Sequence, residues 1–137
     1  MKKDKGFTLI ELLAIIIILS IIAVITVPIV LNVIDNAKKQ SIVDSAYGYK
    51  DAISKYYMEK ALTDADYDMD NRVYMVSELS DSVLSVNGVL PDSNSWVQID
   101  DNDVNTGCLQ FDIYKVYITN GNVGEAVKGE CEINIHQ

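Results

Sequence analysis

Glu11 is the side chain with the most chemistry at stake, because of where it stands. It heads a run from Leu12 to Leu31 in which only Ser20, Thr26 and Pro28 are not plainly aliphatic. An ionised carboxylate in such surroundings costs on the order of several kcal/mol unless a cation pairs with it. Just upstream lie a Gly6-Phe7 junction and a short leader with Lys2, Lys3 and Lys5 against Asp4. A basic leader, a glycine–aromatic junction and a lone acid just inside an apolar run read together as a device for export, processing and polymerisation.

No other set of residues offers catalysis. The single histidine, His136, is next to last, so neither Ser-His nor Cys-His chemistry has a base. No phosphate-binding glycine motif is present, and Asn120-Gly-Asn-Val-Gly124 lacks the spacing of one. Aspartates at 64, 66, 68 and 70 invite a calcium reading, but Met69 and Met75 stand where an EF-hand loop needs glycine and glutamate. That stretch reads as an exposed loop, and Asp100-Asp101-Asn102-Asp103 as a solvated turn. A closed zinc site would have to add carboxylates to Cys108, Cys131 and His136. No enzyme activity, metal or cofactor is expected.

These residues must be carried by a long helix. About 20 apolar residues at a rise of ~1.5 Å cover the roughly 30 Å core of a bilayer. The run is too long for an ordinary secretory signal, and no Ala-x-Ala-like site closes it. The lysines of the leader keep the N-terminus cytoplasmic and send the rest outward. Beyond Leu31 nothing stops the helix, and Ile42, Ala46, Tyr49, Ile53 and Tyr56 recur at alternating spacings of four and three. That stripe predicts an amphipathic continuation over 32–62. Pro28 removes one hydrogen bond from the ladder and favours a kink, while Gly48 weakens the helix locally.

The string KGFTLIELL, residues 5–13, resembles the class III signal of type IV prepilins and the related pseudopilins. The resemblance covers roughly Lys5 to Lys39. It implies a leader, residues 1–6, cut between Gly6 and Phe7 by a membrane-embedded prepilin peptidase that then methylates the new amino terminus at Phe7. Glu11 matches the family's glutamate, and a neighbouring subunit's Phe7 amine is the cation expected to pair with it. A proline at the place of Pro28 marks a bend or locally melted stretch in assembled pili. The implied partners are further copies of the chain in a helical filament, an inner-membrane assembly platform with its ATPase, and the membrane before assembly. The favoured role is a structural subunit of an extracellular pilus serving adhesion, motility or DNA uptake. Two alternatives stand beside it: a pseudopilin of a secretion or competence system, and a membrane-anchored binding protein that never polymerises. The composition looks most like Gram-positive versions of the family.

Residues 63–137 are left for a globular, β-rich head, near the lower size limit for a single apolar core. Losing the leader moves the side-chain charge from −9 to −11, so direct nucleic-acid binding is not expected. Strands are predicted at Trp96–Ile99, Leu109–Ile118, Val123–Val127 and Cys131–Ile135, with a one- or two-turn helix over Ser77–Leu84 and a hairpin turn at Asn120-Gly121. The expected fold is α+β: a long helix, apolar in its first half and amphipathic in its second, packed on an antiparallel sheet of three or four strands. Cys108 and Cys131 form a disulfide or remain two buried thiols. An exported head favours the bond, as does the habit of the resembling family, and it would contribute roughly 3 kcal/mol.

Overall fold

The computed structural model describes residues 6–64, 72–79, 84–101 and 103–133. One helix, α1, spans Leu9–Thr63. Five strands follow: β1 (Arg72–Met75), β2 (Trp96–Asp100), β3 (Asp103–Phe111), β4 (Tyr114–Thr119) and β5 (Asn122–Lys128). A short 3-10 turn, Val76–Glu78, follows β1. The chain divides into two compact units at the Ala37–Lys38 junction.

In the unit that begins at Lys38, the second half of α1 packs on the sheet. Ile42, Ala46, Tyr49 and Ile53 of the predicted stripe are buried, and at its far end Tyr57 lies deeper than Tyr56. Opposite them, Val97, Ile99, Val104, Leu109, Val116 and Ile118 are fully enclosed. Each such side chain contributes about 1.5–3 kcal/mol by leaving water. Sheet order follows chain order, β1-β2-β3-β4-β5, with every neighbour antiparallel.

The sheet has five strands where three or four were expected. The run Leu109–Ile118 is two strands, because the chain reverses at Asp112-Ile113. Asp112 takes a positive φ of 55° there, which a short polar side chain tolerates. Polar residues at 110, 112 and 115 recorded the reversal: a two-residue turn shifts the alternation by one. Arg72–Met75 adds the further strand, pairing with β2. Cys131–Ile133 is not a strand, and the rest of that predicted strand lies outside the described residues. The predicted helix over 77–84 is, among the described residues, only the 3-10 turn. Asn120-Gly121 forms the β4–β5 turn, both residues at positive φ.

Polar and close backbone contacts join the second half of α1 to the rest of its unit, among them an ion pair of Lys38 Nζ with Asp112 Oδ2 at 3.2 Å. A Cβ on Gly48 would stand 2.1 Å from the Asn87 carbonyl oxygen, and one on Gly88 would stand 2.8 Å from Ser45 Oγ. Ser45 Oγ also accepts the Val89 N–H at 3.1 Å. The 87–89 segment therefore lies backbone-to-backbone on a small-residue face of the helix. At the β2–β3 turn, Asp103 accepts from Lys50 Nζ at 3.0 Å and from Ser54 Oγ at 2.5 Å. Partial burial pushes the Asp103 carboxyl up, but the Ser54 and Lys50 hydrogen bonds, the Lys50 charge and the Val104 amide outweigh it. The net effect holds the carboxyl below its ordinary range.

Helix propensity alone says Gly48→Ala should stabilise the chain by about 1 kcal/mol. The Asn87 carbonyl reverses the sign, and the variant is expected to lose about 1–3 kcal/mol in thermal unfolding of the full chain in detergent. For Asp103, a depressed folded pKa means a contribution complete above about pH 5 and lost as pH falls through the folded value. Asp103→Asn should cost about 1 kcal/mol at neutral pH, a hydrogen-bonded ion pair discounted for a half-exposed carboxylate. The difference from wild type should narrow as the same unfolding measurement is taken from pH 7 toward pH 3.

Candidate functional site: the N-terminal segment

Gly6, Phe7 and Thr8 precede the helix, and every residue from Leu9 to Ile34 is exposed. Phe7 is 82% exposed, and nothing lies within 4 Å of where a Cβ on Gly6 would sit. No packing or turn in the described residues requires a glycine at that position.

The Glu11 carboxylate turns back on its own helix end. Its Oε2 accepts from the Thr8 backbone N–H and from Thr8 Oγ1, each at 2.9 Å. The Glu11 N–H points to Thr8 Oγ1 at 3.4 Å, and the Leu12 N–H reaches the Thr8 carbonyl at 3.2 Å. Thr8 is thus the N-cap and Glu11 the third helical residue of a capping box, which satisfies N–H groups that have no partner within the helix. Thr8 is a capping residue that the sequence reading missed. The signal was present as Thr8-x-x-Glu11 ahead of an apolar run.

The helix that follows hides its remaining polarity within itself. Ser20 Oγ donates to the Ile16 carbonyl at 2.7 Å, and Thr26 Oγ1 to the Ile22 carbonyl at 2.9 Å. Both hydroxyls are therefore satisfied without water, as an apolar surrounding demands. Pro28 lies inside α1, which continues through it; lacking an N–H, it leaves the Val24 carbonyl without its usual donor. By length and composition α1 is able to cross a membrane.

The remaining candidates lie in the second unit. Cys108 and Cys131 are joined by a disulfide with Cα atoms 5.8 Å apart. Asp100, Asp101 and Asp103 line an open cavity of about 300 Å³ with Asn105, Asn120 and Gly121. Among the described residues, no three acids, histidines or cysteines are grouped to hold a metal ion. Of the calcium candidates Asp64 to Asp70, all but Asp64 lie outside the described residues, as does His136.

Comparison with known proteins bears on the N-terminal segment. The prokaryotic N-terminal methylation motif matches residues 1–27. Fimbrial protein EcpC of Eikenella corrodens is 39% identical over 63 residues, which is 46% of this chain. The match spans 41% of that relative's own length. No solved structure matches the chain. Both similarities support a pilin-type N-terminal segment in this chain.

Proposed function

We propose that this chain is a structural subunit of a type IV pilus, cut between Gly6 and Phe7 by a prepilin peptidase and methylated at Phe7. The observation that carries this reading is the methylation motif over residues 1–27, set on a helix exposed on every side from Leu9 to Ile34. A surface of that kind is stable only in lipid or among other apolar helices. A membrane first and a bundle of identical helices later supply both.

Processing accounts for residues that the fold does not need. The open space around Gly6 fits a residue chosen by a protease rather than by packing. Cutting there leaves Phe7 with a cationic amine one residue before Thr8. The Glu11 carboxylate, already gathered at the helix end by two donors from Thr8, then pairs with the Phe7 amine of a neighbouring subunit. Each apolar helix brings one acid and one amine, so only a register that matches them leaves no charge unpaired. The pair acts chiefly as a register key, since a buried ion pair adds little net affinity but is costly to break.

The rest of the reading follows the same chemistry. Pro28, inside the apolar stretch, is the point where α1 bends or locally melts on entering the filament. Extraction from the membrane falls to an inner-membrane assembly platform and its ATPase. The chain starts as a single-pass membrane protein and ends in an extracellular pilus with its head outward. The disulfide-closed C-terminal region favours a pilus over a pseudopilus.

Glu11→Leu tests the register key. Losing one member of a buried pair is worth about 3–5 kcal/mol, enough to reduce incorporation at least tenfold. The variant is expected to be processed and to remain in the membrane while disappearing from sheared filaments. Wild-type amounts of the variant in filaments would contradict the pairing.

A further inference from the structure

After β5 the described residues, 129–133, add no strand. The chain crosses the sheet face that points away from α1, and its backbone is caught strand by strand. The Glu130 carbonyl accepts from Lys115 Nζ on β4 at 3.0 Å. The Cys131 N–H donates to Gln110 Oε1 on β3 at 2.8 Å. The Glu132 carbonyl accepts from Trp96 Nε1 on β2 at 3.2 Å. At the near end, the Gly129 carbonyl accepts from Gln110 Nε2 at 3.0 Å, and the Gly129 N–H donates to the Ile113 carbonyl at 3.0 Å. Successive residues thus step across successive strands, and the segment Gly129–Ile133 is a strap.

Gln110 is the hub. Only 2% exposed, it gives one amide hydrogen to the Asp112 carbonyl at 2.7 Å and the other to Gly129. Its oxygen faces the Cys131 N–H, so the three partners fix which end of the amide is which. Its backbone is occupied too: the N–H by Ser95 Oγ at 2.8 Å and the carbonyl by the Asp92 N–H at 2.7 Å. The docked strap supplies the partners for one hydrogen and the oxygen of this enclosed carboxamide, as burial of a polar group requires.

None of these contacts involves sulfur, and on the strap all of them end on backbone atoms. We infer that Gln110 docks the strap independently of the disulfide and presents Cys131 to Cys108 before oxidation. Gln110 is in this sense a positioning residue for the bond. In the bonded state the two Cα atoms stand 5.8 Å apart, inside the span that a disulfide bridges, and the strap contacts hold the Cys131 backbone at that place without using sulfur. Oxidation then needs only an acceptor. With glutathione disulfide, the two thiols lose two electrons and two protons, the Cys108–Cys131 bond forms, and two reduced glutathione molecules leave. A head built this way keeps its shape whether or not it has met an oxidant.

Two measurements on the full chain in detergent test this. In Cys108→Ser/Cys131→Ser, the residue-131 amide should exchange with solvent at least about tenfold more slowly than in an unstructured peptide. Exchange at the unstructured rate, or an unfolded head, would overturn the inference. In a glutathione redox titration, Gln110→Leu should move the thiol–disulfide equilibrium at least about tenfold toward thiols. An unchanged equilibrium would also overturn it. Should Gln110→Leu fail to fold, the serine variant still decides, because it leaves Gln110 in place.

Discussion

The backbone hydrogen-bond ladder of α1 is what the rest of the molecule depends on. A helix satisfies its own N–H and C=O groups, so its side chains alone decide what may surround it. Over Leu12–Leu31 those side chains are apolar on every face, and the two hydroxyls among them, Ser20 and Thr26, bond back to their own helix. The helix start, with its unpaired N–H groups, and the Val24 carbonyl that faces Pro28 are the backbone groups of this stretch left open to desolvation. Thr8 and Glu11 meet that need within one chain. The same carboxylate that closes the helix start is the one proposed to meet a neighbour's amine. In that proposed filament, capping and register keying would draw on one acid.

The second half of α1 answers a different demand. One face must bury itself, and the sheet supplies the opposing layer. Two short polar devices fix how the layers meet: the Asn87 carbonyl against Gly48, and Asp103 between Lys50 and Ser54. The outer face of the sheet is closed in turn by a strap whose backbone is held by side chains of Lys115, Gln110 and Trp96. Such an arrangement suits a small domain, in which few residues can be spared for a second apolar layer.

Much of this was legible in the residues themselves. The apolar run, the Ile42–Tyr56 stripe and the Asn120-Gly121 turn each rest on local periodicity or turn chemistry, and each has its counterpart in the structure, the stripe being buried as far as Ile53. Two other features depend on partners distant in sequence. Gly48 reads as a weak point of a helix until the Asn87 carbonyl, 39 residues away, is seen to need its missing side chain. Cys131–Ile135 alternates like a strand, yet Cys131 spends its N–H on the Gln110 side chain and the neighbouring carbonyls bind Lys115 and Trp96. The Asp112-Ile113 reversal lacks the usual glycine, and only the slipped alternation from 112 to 115 betrays it. Thr8 was visible as a capping residue but was overshadowed by the charge four residues after Phe7.

Cleavage after Gly6 and assembly through the freed N-terminus leave a chemical signature on the filament, which mass spectrometry of filaments sheared from the cell surface reads. The expected N-terminal peptide begins at Phe7 and carries one added methyl group on its amine. An N-terminal peptide beginning at Met1, a different cleavage point, or absence of the chain from the filaments would contradict the proposed cleavage and assembly.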